Sequence, residues 1–214
     1  MNGQKLTDRL YLGMGLSARH VGQSADAFRP KGPVSPLDKQ NRFLKLPATF
    51  VSAKGNDRRT NVYGEALWHG IFDASYTQAG DYLVMGNGTF FIASQEPLLP
   101  ILCVKTNRTV SIVRPDMQTS AAGNAYGGYT SGSSAPLMEG WPASVLGENR
   151  SSASSTDLPT DQTIPYWNIL LPAVASVILS PGYLITDDLK RTATITATEL
   201  TTLGWRISAK MAMT

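Results

Sequence analysis

The residues that could do chemistry in this sequence are few and scattered. His20 and His69 are the only histidines, and neither has a partner at zinc-binding spacing. The single cysteine, Cys103, lies in the apolar run Pro100-Ile101-Leu102-Cys103-Val104, so it reads as a small core hydrophobe with no internal disulfide open to it. Asp187 and Asp188 are adjacent carboxylates. Acid–base work needs two carboxyls facing each other across a substrate, whereas neighbouring aspartates suit a turn, where they satisfy backbone N–H groups. No Gly-x-Ser-x-Gly elbow occurs, and neither Gly86-Asn87-Gly88 nor Gly123-Asn124-Ala125-Tyr126-Gly127-Gly128 resembles a phosphate loop opening a helix. The Asn-x-Ser/Thr triplets at Asn87, Asn107 and Asn149 matter only in a secreted chain. Tyr126, Tyr129, Trp141 and Trp167 could stack bases or sugars, but Trp141-Pro142 and Pro165-Tyr166-Trp167 suit aromatics that pin a connection onto a core. The expectation is no catalytic residue, no metal site and no cofactor.

Composition points the same way. Hydrophobic residues make up 42% of the 214 positions and charged residues only 16%, below the roughly 25% usual in soluble domains. Such a chain has apolar material for a core and for buried partner surfaces. A net charge of +3 is too small to demand nucleic acid. The basic stretch Lys39, Arg42, Lys45, Lys54, Arg58 and Arg59 reads first as a solvated arm and second as a segment in non-specific proximity to DNA. The N-terminus lacks the apolar run of a signal peptide. Ile169 to Leu179, the longest apolar stretch, is broken by Pro172 and Ser176 and falls short of the roughly 20 residues that cross a bilayer. A soluble cytoplasmic product without membrane contact is expected.

The elements that must carry any surface follow from periodicity. Leu6, Leu10, Met14, Ala18 and Val21 recur at helical spacing and predict an amphipathic N-terminal helix. Gly13 and Gly15 weaken it by about 1 kcal/mol each against alanine. Pro30, Pro33, Pro36 and Pro47 punctuate residues 24–60, read as an extended arm. Tyr82-Leu83-Val84-Met85-Gly86-Asn87-Gly88-Thr89-Phe90-Phe91-Ile92-Ala93 is the strongest local signal, because Asn-Gly between β-prone runs favours a type I′ hairpin. With Asn87 and Gly88 as the loop, Met85 would pair with Phe90, Val84 with Phe91 and Leu83 with Ile92. Both faces of that ribbon are apolar, so it must be covered twice, by a second sheet and a helix or by another subunit.

A second hairpin is expected from Ile101–Val104 and Val110–Val113 around Lys105–Arg108. Residues 116–162 are rich in Ser, Gly and Ala and read as a long loop whose Trp141–Leu146 island docks on its own chain or on a partner. From Trp167 a β-rich tail resumes, with Val177–Leu179, Gly182–Thr186 and Thr192–Thr198, and alternation at Leu203, Trp205, Ile207, Ala209 and Met211 marks the last strand. Gly80–Val84 with Thr89–Ser94 weakly matches Gly182–Ile185 with Thr192–Ala197, as two hairpins or two halves of a duplicated barrel would. The expected fold is mainly β, a β-barrel or sandwich-like core with an N-terminal helix, an extended arm and a long central loop. Its parts would be 1–60 (helix and Pro-rich arm), 61–116 (β-hairpin core), 117–162 (loop) and 163–214 (C-terminal β segment packing with 61–116).

Asn61-Val62-Tyr63-Gly64-Glu65-Ala66-Leu67-Trp68-His69-Gly70-Ile71-Phe72-Asp73, Gly80–Val84, Gly88–Ala93 and Gln95-Glu96-Pro97-Leu98-Leu99-Pro100 carry a resemblance to small virion structural proteins of tailed phages and prophages. Gly140-Trp141-Pro142-Ala143-Ser144 and the end, from Asp187-Asp188-Leu189 to Leu203-Gly204-Trp205-Arg206, extend it. The resemblance implies a non-enzymatic protein joining head to tail in the virion, a neck, connector or collar subunit made in the host cytoplasm. A tail or baseplate protein is the alternative, and a small hydrolase or carbohydrate-binding module is the alternative of another class. The implied partners are copies of the chain in a homo-oligomeric ring and the portal, tail or collar components beside it. Leu10, Met14, Val84, Phe91 and Trp141 are the candidate subunit interface.

Overall fold

The computed structural model describes residues 3–53, 65–86, 88–115, 136–148, 166–173 and 177–211. A helix, α1 (Gly3–Val21), precedes two closed six-stranded barrels of antiparallel strands. Barrel one contains β1 (Gln23–Phe28), β2 (Arg42–Ser52), β3 (Leu67–Phe72), β4 (Tyr82–Met85), β5 (Gly88–Ser94) and β6 (Ile101–Lys105), in the neighbour order β1-β2-β3-β6-β5-β4. Barrel two contains β7 (Arg108–Val113), β8 (Pro136–Glu148), β9 (Tyr166–Leu171), β10 (Leu184–Asp187), β11 (Thr192–Thr201) and β12 (Gly204–Met211), in the order β10-β11-β12-β9-β8-β7. The expected mainly β, barrel-like core with an N-terminal helix is the fold observed.

The two barrels are one design used twice. Putting β7 to β12 in the places of β1 to β6 gives the same cyclic order. Gly80, at φ +94°, donates its N–H to Ile92 O at 2.8 Å, and Ile92 N–H returns to Asp81 O; Gly182, at φ +89°, does the same with Ile195, whose N–H returns to Tyr183 O. Only glycine takes such angles without strain, so each barrel needs it at this corner. The register of β5 on β6 slips between Ile92 and Ser94, and that of β11 on β12 between Ile195 and Ala197, a bulge at the equivalent place. Following the pairing onward sets Trp68, opposite Cys103, equivalent to Trp167, opposite Ala209, and Met85 equivalent to Asp187.

The hairpin's two faces are covered within the chain. Met85 pairs with Gly88, Val84 with Thr89, Leu83 with Phe90 and Tyr82 with Phe91. The pairing is thus two residues off the expected register. Gly88 joins the ladder at φ +149° instead of serving the turn; Asn87, on which the type I′ reading rests, lies outside the described residues. A two-residue shift keeps each side chain on its face. Leu83, Met85, Phe90 and Ile92 fill barrel one, while Tyr82, Phe91 and Ala93 belong to the cluster that forms the core of barrel two. The second sheet that covers this face is barrel two, and the hairpin supplies no reason for a second subunit.

Other readings change with the topology. The arm of residues 24–60 contains β1 and the eleven-residue β2. Pro30, Pro33 and Pro36 sit in the connection between those strands, and Pro47 is held inside β2 because Leu44, Leu46, Ala48 and Phe50 alternate into the barrel core. β6 and β7 pair with different strands and form no hairpin. Between them, Thr106 donates its N–H and hydroxyl to Thr89 O, and the Asn107 side chain exchanges two 2.8 Å bonds with Val145 N–H and O. That two-residue link is thus fixed to both barrels. Within the expected 117–162 loop, 136–148 is a strand; the rest lies outside the described residues. Gly140, at φ +67°, sits in a bulge of β8 on β7, so Met138 and Trp141 both point inward although three apart, which hid the alternation. Val177–Leu179 is no strand, yet Val177 and Leu179 pack on barrel two. The C-terminal segment, 163–214, pairs through β10 with β7, inside 61–116, and through β9 with β8.

Candidate interaction surface

The junction between barrels is built from Tyr82, Phe91 and Trp141. The Tyr82 phenol, wholly buried on β4, donates to Pro142 O on β8 at 2.8 Å. Its ring meets Trp141 edge-on at 6.2 Å and Phe91 at 5.9 Å. Burial pushes this phenol well above its usual value. Trp141 donates its indole N–H to Pro33 O at 2.8 Å, and Glu139 N–H reaches the same carbonyl, so the β1–β2 connection is strapped over β8. Phe91 and Trp141, expected at a subunit interface, are therefore covered by their own chain, and Val84 is half-buried against the same cluster. What suggested an interface was a real second apolar face; its cover is the repeat of the same barrel.

Ion pairs brace the edges of this core. Arg29 grips the buried Asp81 with two bonds, Nε to Oδ1 at 2.8 Å and Nη2 to Oδ2 at 2.7 Å. Those bonds hold the guanidinium above its ordinary value. Asp187 accepts from Leu189 and Arg191 N–H on Oδ1 and from Arg191 Nε and Nη2 on Oδ2, so its role is a turn, as its sequence context suggested. Burial alone would raise this carboxyl, but the Arg191 bonds outweigh it and hold it below the usual range. The Cys103 thiol, buried in barrel one, is pushed up by burial and does not ionise readily.

The helix leaves the more accessible surface. Tyr11, Gly15 and Ala18 face barrel one, with Met14 packed on its core and Leu10 half-buried. Leu12 and Leu16 point away and are 57% and 48% exposed. Their i, i+4 spacing is the signal that the expected stripe of Leu6, Leu10, Met14, Ala18 and Val21 passed over. Beside them, a groove of about 180 Å³ runs between α1, β2 and the turn Ala74–Tyr76, lined by Leu12, Leu16, Leu44, Pro47 and Tyr76. Arg19, Lys45 and Asp73 also line it, and neither cation joins an ion pair among the described residues.

Among the described residues no three His, Cys, Asp or Glu side chains gather as metal ligands, and no helix is long and apolar enough to cross a membrane. His20 is exposed on α1 and His69 half-buried on β3. Tyr126, Tyr129 and Asn149 lie outside the described residues. Compared with protein-family models, curated proteins and solved structures, the chain matches none.

Proposed function

We propose that this protein is a non-enzymatic virion structural protein that joins head to tail, a subunit of a homo-oligomeric neck, connector or collar ring that meets the portal, tail or collar components. The observation that carries the reading is the leucine-lined groove beside α1, an accessible apolar surface with the unpaired cations Arg19 and Lys45 on its rim. Closed barrels hide most backbone edges, so contacts between subunits fall to side chains. A ring also requires a head-to-tail contact between two different patches of each subunit. The groove is one. The β11–β12 turn is suited to be the other, with Leu200 and Leu203 exposed beside Glu199, which stands opposite Arg206 in the ladder, so that it offers apolar surface and one carboxylate where the groove offers apolar surface and two cations. The likeness of the motif residues to phage virion proteins supplies the setting, with synthesis in the host cytoplasm.

Light scattering and negative-stain microscopy of the purified chain, with immunogold labelling of particles, test this. Closed rings and label at the neck are expected. A strict monomer absent from particles would overturn the proposal. Label at the distal tail would replace it with the tail or baseplate reading.

A further inference from the structure

The exposed turn of barrel two has a counterpart in barrel one. Ile92 and Ile195 stand at the same bulge, and four residues on from each comes a glutamate, Glu96 or Glu199. Exposed leucines follow both, Leu98 and Leu99 in the β5–β6 connection and Leu200 and Leu203 in the β11–β12 turn. The segment beneath is pinned alike: the Thr77 hydroxyl donates to Gln95 Oε1 at 3.0 Å, and the Thr198 hydroxyl donates to Leu179 O at 3.2 Å. Tyr76 and Ile178, each four residues before the corner glycine of its barrel, are exposed at equivalent places. Each barrel therefore ends in the same device, a glutamate and exposed apolar side chains on a fastened backbone.

In barrel one the device is held at a conformational cost. Leu98 sits at φ +66°, an angle that a bulky residue adopts only under strain. Leu99 N–H closes the turn on Glu96 O at 3.3 Å, between Pro97 and Pro100. Leu98 and Leu99 are 54% and 58% exposed, so packing within the barrel does not offset that strain.

The two turns differ in where they stand relative to the groove beside α1. The β5–β6 connection is fastened to the groove's own wall, since Gln95 Nε2 donates to Ala74 O at 2.8 Å in the turn whose Tyr76 lines the groove. Knob and groove thus lie side by side on barrel one. The groove brings Leu12, Leu16, Arg19 and Lys45; the knob brings Leu98, Leu99 and Glu96, which joins no ion pair among the described residues. A surface that carries both halves of a complementary pair can meet a copy of itself across a two-fold axis, each knob in the other's groove, whereas a knob on the other barrel leads on to a further subunit.

We infer that the barrel-one ends of two copies of this chain form a two-fold pair, with Leu98 and Leu99 of each in the groove of the other and Glu96 facing Arg19 and Lys45. The inference rests on the reading of the groove as a subunit contact. Because the β5–β6 connection and the β11–β12 turn fill the same groove, pairing and ring contact exclude each other. Pairing closes on itself and caps the groove, so it restrains ring formation.

Sedimentation velocity of the full chain over a concentration series tests this. Leu98→Ser with Leu99→Ser should weaken pairing at least tenfold and raise the fraction in rings, whereas Leu200→Ser with Leu203→Ser should remove rings and leave pairs. Introduced cysteines report the geometry under mild oxidation, Cys103 being buried and unreactive. Leu16→Cys with Leu98→Cys should give a covalent product that stops at the dimer, and Leu16→Cys with Leu203→Cys a ladder of longer products. The inference is overturned if Leu98→Ser with Leu99→Ser leaves the parent's distribution unchanged, or if Leu16→Cys with Leu98→Cys gives no covalent dimer; rings that persist in either case leave the ring reading standing. Pairs that the serines abolish, in a chain that never forms rings, overturn the ring reading alone. A chain that is monomeric at every concentration overturns both.

Discussion

Tyr82 and Pro142, sixty residues apart in the chain, join the barrels through a 2.8 Å hydrogen bond from the buried phenol to the backbone carbonyl. A buried acceptor without its donor costs about 1–3 kcal/mol, so Tyr82→Phe is expected to lose that much stability with the packing otherwise kept. Tyr82→Ala also opens a cavity against Phe91 and Trp141, and about 3–5 kcal/mol is expected. Urea unfolding read by far-UV circular dichroism measures both. Because the Tyr82–Trp141 cluster and the Thr106-Asn107 link tie the barrels together, the unaltered chain should unfold in one transition. Unchanged midpoints in both variants would show that the junction does not couple the barrels.

Asp187 predicts a pH signature. Its carboxyl is held below the usual range by bonds from Arg191 that outweigh burial. A depressed folded value means the stabilisation is present above the unfolded aspartate value of about 3.9 and is lost as pH falls through the folded one. Asp187→Asn should therefore cost about 1.5–3 kcal/mol at neutral pH, and the gap between variant and parent should close on acidification below about pH 4. Unfolding curves at several pH values test this. A gap that stays constant down to strongly acid pH would mean the charge is not what stabilises the turn.

How much of this was readable in advance depended on range. Tyr82–Ala93 announced a hairpin because its pairing is local, and Trp205, Ile207 and Ala209 announced a strand because their alternation is unbroken. The duplication surfaced only as a faint likeness around Gly80 and Gly182, since what repeats is the register and a bulge more than the residues. β8 was hidden by the bulge at Gly140, which puts Met138 and Trp141 on one side out of phase. The cover of two expected interface residues was hidden for a related reason. Phe91 and Trp141 were rightly seen as needing cover, but only long-range topology says that the cover is the chain's own second barrel. Leu12 and Leu16, by contrast, are visible in the sequence, and a single stripe drawn through Leu10 and Met14 concealed them.

Two glycines of α1 should respond oppositely. A Cβ at Gly13 would meet nothing within 4 Å, whereas one at Gly15 would stand 2.9 Å from Asp73 Cβ. Gly13→Ala is expected to gain up to about 1 kcal/mol from helix propensity. Gly15→Ala should lose stability, because the atom it strikes is close to the backbone and cannot swing away. Thermal unfolding of the pair checks this, and equal shifts of the same sign would argue that Gly15 is not the helix's contact with barrel one.

The groove and the β11–β12 turn make the sharpest demand on the assembly reading. Leu12 and Leu16 are exposed, so Leu12→Glu with Leu16→Glu should change subunit stability little, about 0.5 kcal/mol per exposed site, while abolishing rings. If Arg19 and Lys45 meet Glu199 of a neighbour, reversing either side alone, by Glu199→Lys or by Arg19→Glu with Lys45→Glu, should weaken association at least tenfold, about 1.4 kcal/mol. Combining both reversals should restore it, because the signs are then complementary again. Light scattering over a concentration series, repeated at high salt, gives the readout. Salt should weaken the parent and the double reversal alike and matter less to the single reversals. A subunit that assembles normally with the leucines charged uses another surface, and reversals that each weaken association but never rescue one another place Glu199 away from the groove.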